Sequence, residues 1–199
     1  AEAIWERKGN EKRDAVQGMF ARIAPRYDRL NGLMSGGLHR AWRAAAVRSL
    51  ALKPGDAALD VCSGTGDFLL PLRRAVGPSG RLVATDFCAP MLERADAKDA
   101  DAGRALGDAC RLPVASGAFR GITVGWGIRN VPDVDAAHRE AFRILGAGGR
   151  FASVEMATPR RPVAKAISTF LFRRVVPALG RLFGHAEAYA YLPESTLRH

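Results

Sequence analysis

A glycine turn followed at a fixed distance by an acid has the spacing of a nucleotide-type ligand site. The apolar run at 57–62 predicts a buried strand, and the segment Ser63–Asp67, with glycines at its second and fourth positions, follows it directly. Such a turn between a strand and a helix lets backbone N–H groups approach a ligand closely. Asp86 ends the next apolar run about twenty residues later, the distance at which a carboxylate can bind ribose hydroxyls. Leu69 stands where the dinucleotide fingerprint has its third glycine, which counts against a nicotinamide or flavin site.

The elements around this turn alternate between strands and helices. Apolar runs bounded by turn residues predict strands at 57–62, 81–86, 103–107, 119–126 and 150–155. Helical spacing predicts helices at 68–79, 90–98 and 135–145, with Asp133 or Asp135 as the cap of the last and a turn at 147–149. The alternation is typical of an α/β fold with a mostly parallel sheet and helices on both faces.

The first fifty residues predict a helical layer ahead of the sheet. The spacing of apolar residues is helical from residue 11, Pro25 interrupts it, and the pair Gly36–Gly37 breaks the chain again before a helix over 38–50. We expect this layer to cover the ligand, with Leu38 and Trp42 filling it as a lid.

The composition predicts one globular domain. The chain has 199 residues, of which 48% are apolar and 25% are charged. No apolar run approaches the roughly 20 residues of a membrane-spanning helix, and residues 1–14 are too charged for a secretory signal. The three cysteines form no disulfide framework, which indicates a reducing, cytoplasmic location. Cys62, Cys88 and Cys110 each follow a predicted strand, and we interpret them as small apolar filling of a pocket rather than as metal ligands.

The net charge of +10 is concentrated in the two flanks of the chain. Residues 1–50 carry ten Lys/Arg and five Asp/Glu, residues 51–159 carry thirteen of each, and residues 160–199 carry seven basic and two acidic residues. One interpretation is a general bias toward arginine in the source. The other is a basic face for nucleic acid or for an anionic membrane surface, and interleaved large apolar residues favour the membrane.

The glycine turn and its acids resemble the cofactor motifs of Rossmann-like, class I S-adenosylmethionine-dependent methyltransferases. In that class the turn faces the methionine part of the cofactor, the acid after the second strand binds the ribose, and the acid after the third strand faces the adenine. The resemblance implies S-adenosylmethionine as cofactor and a sheet of about five strands in the order 3-2-1-4-5 beneath an N-terminal helical cap. The cofactor-binding residues it implies are Asp60, Gly64, Thr65, Gly66, Asp86, Asp108, Ala109 and Gly125.

Three further segments resemble the C-methyltransferases of quinone biosynthesis, the demethylmenaquinone methyltransferases with their ubiquinone-pathway relatives. The N-terminal segment carries Tyr27, Asp28, Asn31, Ser35, His39 and Trp42 at the family's spacing. The other two segments are Gly127–Asn130, after the fourth strand, and Tyr189–Ser195. A fourth segment, Arg143–Glu155, resembles the second family signature but has Gly146, Ala147 and Ala157 where the family has Lys, Pro and Ser. The resemblance implies C-methylation of a prenylated quinol, either demethylmenaquinol or a polyprenyl benzoquinol.

This chemistry assigns roles to the polar residues near the predicted ligand crevice. A quinol is a good carbon nucleophile once its hydroxyl is ionised, and an arginine can stabilise the resulting phenolate. We assign that charge to Arg129 and the orientation of the hydroxyl to Asn130, with Tyr27, Asp28 and His39 as candidate proton relays. The alternative for Arg129 is a structural ion pair.

Residues 160–184 predict a basic amphipathic helix that forms a lid or substrate region. Its apolar residues keep a helical spacing and arginines are interleaved among them, a pattern that can lie in a membrane interface. The alternative is an ordinary helix packed on the sheet. We therefore divide one domain into an N-terminal cap at 1–50, a cofactor core at 51–159 and this region at 160–199.

Two other functions stay open from the sequence. A methyltransferase of the same fold acting on RNA would use the basic charge, but only 8% of the residues are aromatic and no RNA-binding module is recognisable. A non-catalytic fragment is the other, because the class adds two strands after this region, one of them antiparallel, and the sequence predicts neither. We expect no nucleic-acid partner, and the sequence leaves a homodimer open.

Overall fold

The structure is a computed structural model that describes residues 4, 6–7, 9–156, 159–170, 174, 191, 194 and 196. Its helices are α1 (Gly9–Ile23), α2 (Tyr27–Ser35), α3 (Leu38–Ser49), α4 (Leu69–Val76), α5 (Ala89–Leu92), α6 (Val134–Ile144) and α7 (Pro162–Phe170). Its strands are β1 (Ala57–Val61), β2 (Arg81–Asp86), β3 (Gly103–Leu106), β4 (Phe119–Gly125) and β5 (Leu145–Val154). Short 3₁₀ turns lie at Ala24–Arg26, Glu93–Ala97 and Ile128–Asn130.

The strands form one parallel sheet in the order β3-β2-β1-β4-β5. The predicted order 3-2-1-4-5 is therefore confirmed. Because the strands are parallel, their carboxyl ends meet at one edge, and the register sets Val61 beside Thr85 on one side and Val124 on the other. The residues that follow β1, β2 and β4 consequently converge at this edge.

Helices cover both faces of the sheet because successive strand residues point to opposite sides. Ala58 belongs to a core cluster with apolar residues of α3 and α4, whereas its neighbour Leu59 belongs to a cluster with Ala141 and Ile144 of α6. The side chain of Asp133 accepts a 2.8 Å hydrogen bond from the N–H of Ala136, so Asp133 caps α6 as one of the two predicted alternatives.

The N-terminal helices form the expected cap over the edge of the sheet. Pro25 lies in the first 3₁₀ turn, where the helical pattern was predicted to break. Ala24 packs with Cys88 and Met91, which lie just after β2, and the Gln17 side chain donates a 2.6 Å hydrogen bond to the carbonyl of Phe87. The cap is therefore attached to the sheet at the end of β2.

Several predicted boundaries differ from the structure. The predicted strand at 150–155 begins earlier, at Leu145, because the expected turn at 147–149 runs beside β4 with an irregular register between Phe119 and Gly121. The predicted helix at 90–98 is one α-helical turn followed by the 3₁₀ turn Glu93–Ala97. The predicted helix at 68–79 is shorter and ends at Val76, before Gly77.

The C-terminal region is described only in part. Helix α7 covers Pro162–Phe170, and the part of the predicted amphipathic helix after Phe170 lies outside the described residues apart from Arg174. Ala157 and Tyr189 also lie outside them. Within the described ranges, none of the helices combines the length and apolar character that crossing a bilayer requires.

Candidate active site

One cleft lies between the carboxyl ends of the strands and the N-terminal cap. Its empty volume, including the open solvent at its mouth, is about 640 Å³. The strand ends contribute Cys62, Asp86, Asp108 and Gly125 to its walls, and the cap contributes Phe20 and Tyr27. The cleft is thus the crevice at which open α/β sheets bind ligands.

The glycine turn has the backbone that its sequence predicts. Gly64 and Gly66 have φ angles of +56° and +82°, a region that residues with a Cβ rarely adopt. A Cβ at position 66 would lie 2.8 Å from the Cβ of Ala95, so the turn is packed tightly against the chain after α5. Gly64 lines the cleft and exposes backbone to a ligand there.

Asp86 connects the end of β2 to the glycine turn. Its Oδ2 accepts a 2.8 Å hydrogen bond from the N–H of Gly64, and its Oδ1 accepts one of 2.8 Å from the N–H of Cys88. Burial raises the pKa of this carboxyl, and the backbone N–H groups of Cys88 and Gly64 oppose the rise. The acid lines the cleft, so it can exchange a backbone partner for a hydroxyl of a ligand.

The other two predicted acids differ in their access to the cleft. Asp108 lines it with Ala109, and the Asp108 Oδ1 accepts a 2.8 Å hydrogen bond from the N–H of Cys110. Asp60 is 1% exposed and lies behind the cleft, where Thr123 donates a 2.7 Å hydrogen bond to its Oδ1. Burial raises the pKa of Asp60 to about 7, and the hydrogen bond from Thr123 opposes the rise.

Asp28 meets the glycine turn from the cap side. The hydroxyl of Thr65, which is 2% exposed, donates a hydrogen bond to the Asp28 Oδ1. The Nζ of Lys98 lies 2.8 Å from the Asp28 Oδ2 and also donates a 3.2 Å hydrogen bond to the Thr65 hydroxyl. Asp28 and Thr65 are therefore brought together, but as parts of a polar network beside the cleft.

His39 belongs to the same network. Lys98 pairs with the Oδ1 of Asp67, while the Asp67 Oδ2 lies 3.0 Å from a guanidinium nitrogen of Arg43 and 3.7 Å from the His39 Nδ1. Burial and the charge of Arg43 lower the pKa of His39, which favours its neutral form. The lowered pKa of Asp67, which Arg43 and Lys98 cause against the effect of burial, favours its charged form.

Tyr27 lies in the cap wall of the cleft. Its ring packs edge-to-face on Phe20, with the ring centroids 6.1 Å apart. Burial raises the pKa of its hydroxyl, and the side chain of Asn31 opposes the rise, so the hydroxyl stays protonated at neutral pH. A protonated hydroxyl at this position can donate a hydrogen bond to an oxygen in the cleft.

Asn130 lines the opposite wall, beyond β4. Its Nδ2 donates a 3.2 Å hydrogen bond to the carbonyl of Trp126, and its Oδ1 accepts one of 2.8 Å from the hydroxyl of Tyr191. Burial raises the pKa of Tyr191 to about 12. Hydrogen bonds at both its nitrogen and its oxygen therefore fix the orientation of the Asn130 carboxamide.

Arg129 turns away from the cleft wall that its neighbour forms. Its guanidinium is buried and pairs with the Oε2 of Glu155, just after β5. The carbonyl of Arg129 accepts a 3.3 Å hydrogen bond from the Nζ of Lys12 on α1. The structure thus contains the ion pair that was the alternative interpretation of this arginine.

Two strand ends are followed by residues in an unusual backbone conformation. Cys62, after β1, and Trp126, after β4, have φ angles of +52° and +54° although neither is glycine. Both line the cleft. The Arg43 guanidinium lies 4.5 Å from the ring centroid of Trp126, within the range of a cation–π contact.

The lid interpretation of Leu38 and Trp42 is wrong. Leu38 is 57% exposed and Trp42 is 46% exposed, because the α3 face that bears them points to solvent while Val47 enters the core. The Trp42 ring only reaches the edge of Trp126, with the centroids 6.2 Å apart. Among the described residues no group of His, Cys, Asp and Glu side chains could hold a metal ion, and the three cysteines are unbonded.

A family model and curated relatives match nearly the whole chain. The model of the ubiE/COQ5 methyltransferase family matches residues 7–199. The chain belongs to the ubiE/COQ5 methyltransferase family. A demethylmenaquinone methyltransferase of Roseiflexus sp. (strain RS-1) is 43% identical over 94% of this chain and 79% of its own length. One of Desulfitobacterium hafniense (strain Y51) is 38% identical over 98% of this chain and 80% of its own length.

Solved structures share the fold of this ubiE/COQ5 family member. A putative S-adenosyl-L-methionine-dependent methyltransferase from Methanococcus maripaludis has a TM-score of 0.60 at 20% identity, covering 77% of this chain and 71% of that one. Phosphoethanolamine N-methyltransferase 1 of Haemonchus contortus has a TM-score of 0.63 at 21% identity, covering 80% of this chain and 36% of that one. The fold is that of class I methyltransferases, as predicted.

The residues of the cleft fit the cofactor of this methyltransferase, S-adenosylmethionine. The backbone of Gly64 in the cleft wall and the buried carboxylate of Asp86 suit a ligand with a charged end and a ribose, and Asp108 and Ala109 line the same cleft. When it is bound, S-adenosylmethionine supplies an electrophilic methyl group, which requires no covalent enzyme intermediate.

Sequence reasoning missed several members of this site. Lys98, Arg43, Tyr191 and Glu155 join it through contacts between residues far apart in the chain, and no local pattern indicates such contacts. Asp67 could have been found, because an acid directly after a glycine turn is placed at the ligand edge of the sheet.

Proposed function

We propose that the protein methylates a ring carbon of a prenylated quinol in quinone biosynthesis, converting demethylmenaquinol to menaquinol, with a polyprenyl benzoquinol as a second acceptor. The observation that carries the proposal is that one cleft is lined both by Gly64 and Asp86 and by Tyr27 and Asn130. Relatives named demethylmenaquinone methyltransferase, 38–43% identical over most of the chain, support this acceptor.

The reaction requires the acceptor hydroxyl to be ionised. A neutral aromatic ring is a poor carbon nucleophile, whereas the ring beside a phenolate is a good one. A phenol has a pKa of about 10, so at neutral pH the site must favour the phenolate. The half-buried cleft supports this role, because hydrogen bonds and charges act more strongly where water is excluded.

Two side chains in the cleft are assigned to the phenolate oxygen. The Nδ2 of Asn130 carries two protons, and the carbonyl of Trp126 accepts one of them, which leaves the other for the quinol oxygen. Tyr27 donates from the opposite wall, because its raised pKa keeps the hydroxyl protonated. In this proposal Tyr27 is a hydrogen-bond donor, and water accepts the proton that the quinol releases.

Arg129 is assigned to the positioning of Asn130, from behind the cleft wall. Its guanidinium is fixed by Glu155, and its backbone continues directly into Asn130, so its position and the orientation of the carboxamide are coupled. Asp28 and His39, the other candidate relays, belong to the network around Lys98, and we assign them to positioning of the cap.

We further propose that the protein contacts the cytoplasmic face of an anionic membrane, because a prenylated quinol is dissolved in lipid. Helix α7 exposes Val163 and Phe170, and Arg160 and Arg161 are exposed just before it. An apolar face beside arginines is typical of interfacial helices.

The experiment that tests the proposed reaction is an incubation with S-adenosylmethionine labelled in its methyl group. The acceptors are reduced demethylmenaquinone, a reduced demethylated benzoquinone with a polyprenyl tail, and bulk RNA. We expect label in the lipid phase, and more with the naphthoquinol than with the benzoquinol. Label only in the RNA fraction, or in neither quinol, would overturn the proposal.

A further inference from the structure

Lys98 is the cation at which the N-terminal cap meets the cofactor-binding turn. It follows the 3₁₀ turn Glu93–Ala97, and its Nζ reaches three acceptors that belong to two different parts of the fold. The carboxylate of Asp28, on α2 of the cap, lies 2.8 Å away. The other two acceptors are the hydroxyl of Thr65, at 3.2 Å, and the carboxylate of Asp67, both in the glycine turn.

The hydrogen bonds around Lys98 run from Lys98 through the Thr65 hydroxyl to Asp28. An ammonium group only donates, so the hydroxyl of Thr65 accepts from Lys98 and donates its own proton onward to Asp28. Asp28 is therefore held by both a charge and a hydroxyl of the core. The Thr65 side chain is fixed in turn, next to Gly64 in the cleft wall.

The charges of this network balance. Lys98 and Arg43 are the cations and Asp28 and Asp67 the anions, while burial and Arg43 favour neutral His39 through its lowered pKa. The side chains of Lys98 and Asp67 are 23% and 16% exposed, whereas that of Asp28 is 48% exposed, so removing Lys98 leaves the mostly buried Asp67 carboxylate with one cation fewer. The loss of Lys98 also weakens the attachment of α2 to the glycine turn, because it removes the ion pair with Asp28.

The cap that Lys98 holds covers the cofactor end of the cleft. Phe20 and Tyr27, the residue before Asp28, line the same cleft as Gly64 and Asp86. A ligand between the cap and the strand ends leaves most directly when the cap moves away. The contacts of Lys98 lie beside the cleft, where they hold α2, the helix that begins at Tyr27, to the glycine turn.

We propose that Lys98 is a positioning residue that fastens the N-terminal cap to the cofactor-binding turn, so that its contact with Asp28 must open before the cofactor enters or leaves. The inference concerns the cofactor, and it does not depend on which acceptor is methylated. It assigns Asp28 to the fastening of the cap.

The test compares Lys98→Met with Arg73→Met in the full chain. Arg73 pairs with Asp99, the residue after Lys98, with 2.8 Å between the Arg73 Nε and the Asp99 Oδ2. Arg73→Met therefore removes an ion pair from the same loop and leaves the cap contact intact. The readouts are the dissociation rate of S-adenosylhomocysteine, followed by tryptophan fluorescence, and amide hydrogen exchange over 9–35 in the ligand-free protein.

We expect Lys98→Met to raise the dissociation rate about three- to fivefold, the effect of losing a half-exposed ion pair. It should also speed exchange over 9–35 while exchange in β1 and β4 stays unchanged. Arg73→Met should change neither readout. Lys98→Arg, which keeps the charge, should raise the dissociation rate and the exchange less than Lys98→Met does.

Asp28→Asn provides a second variant that keeps the contact of Lys98 with Asp67. It should raise the dissociation rate and the exchange of the cap in the same direction. An unchanged rate and unchanged cap exchange in both variants would overturn the inference. Equal effects of Lys98→Met and Arg73→Met would overturn it as well, since they would trace the change to the loop.

Discussion

The hydroxyl of Tyr191 donates a 2.8 Å hydrogen bond to the Oδ1 of Asn130, although the two residues are 61 positions apart in the chain. The contact joins the C-terminal region to the wall of the cleft. Tyr191 also packs with Val16 and Met19 of α1, so this one side chain contacts both the cap and the cleft wall.

Tyr191→Phe should lower kcat and leave the affinity for the cofactor unchanged, because it frees the Asn130 carboxamide to rotate and removes nothing from the cofactor end. It should also lower the free energy of unfolding by about 1 kcal/mol, the cost of a buried acceptor left without its donor. Steady-state kinetics and urea unfolding measure the two effects. A loss of cofactor affinity with unchanged kcat would contradict this role.

The raised pKa of Tyr191 predicts that the folded protein loses stability at high pH. Its folded-state pKa of about 12 lies above the ordinary value of about 10, so the folded protein keeps the proton longer than the unfolded chain. This stabilisation is complete below pH ~10 and is lost as the pH rises toward about 12. The difference in stability between wild type and Tyr191→Phe should shrink across that window.

Asp86→Ala should weaken the binding of S-adenosylmethionine by about 1–3 kcal/mol, because it leaves ribose hydroxyls and the N–H of Gly64 without an acceptor. Asp108→Ala should cost less, since backbone groups can serve the adenine edge. Calorimetric titration measures both. A larger loss at Asp108 than at Asp86 would reverse their assignments.

Arg129→Lys should lower kcat and kcat/KM together, because lysine keeps the charge but loses the planar fork that pairs with Glu155 and holds the turn before Asn130. Raising the pH toward the quinol pKa of about 10 should restore part of the activity, since the acceptor then ionises without help. A fall in activity without this rescue, accompanied by a much lower Tm, would mean that Arg129 is structural.

Asp60→Asn should flatten the dependence of stability on pH between about 4 and about 7. The pKa of Asp60 is raised from 3.8 to about 7, so in this window the folded protein binds more protons than the unfolded chain. Its contribution to the free energy of unfolding therefore falls as the pH rises from about 4 to about 7. Urea unfolding of both proteins across this range measures the slope, and identical slopes would refute the prediction.

Binding to anionic vesicles should depend on salt and on helix α7. Sedimentation should show binding that falls as the ionic strength rises from about 0.1 M to 1 M and the Debye length shrinks from ~10 Å to ~3 Å. The double variant Val163→Ser, Phe170→Ser should bind less. Phe142→Ser, at an exposed phenylalanine of α6, is the matched control and should bind like wild type. Vesicle binding that changes neither with the salt concentration nor with the substitutions in α7 would contradict the membrane proposal.

The sequence predicted the part of the fold that local patterns determine. The strand at 57–62, the glycine turn and the strand ending at Asp86 each depend on a few neighbouring residues, and the structure contains all three. The start of β5 was missed because the glycine-rich segment at 146–149 has no apolar alternation of its own and is held by its neighbour β4.

The contacts within the site could not be predicted from the sequence. Thr65 meets Asp28 across 37 positions, and Arg129 meets Glu155 across 26. Such contacts depend on how the cap and the strand ends pack, which no local spacing determines. The resemblance named residues that line the cleft, such as Asp86 and Asn130, but did not indicate that Asp28 and His39 share a network with Lys98.

Cys62 and Trp126 line the cleft in a backbone conformation that the pairing of β1 with β4 holds in place. A left-handed conformation costs a residue with a Cβ roughly 1–2 kcal/mol, so neither residue would adopt it in isolation. The strands β1 and β4, which these residues directly follow, are paired to each other, and the Trp126 N–H donates a 2.8 Å hydrogen bond to the carbonyl of Val154. The sheet thus holds these two wall residues in place, and binding loses little conformational entropy in ordering them. A substitution that loosens β1 from β4 should therefore reduce ligand affinity without touching the ligand.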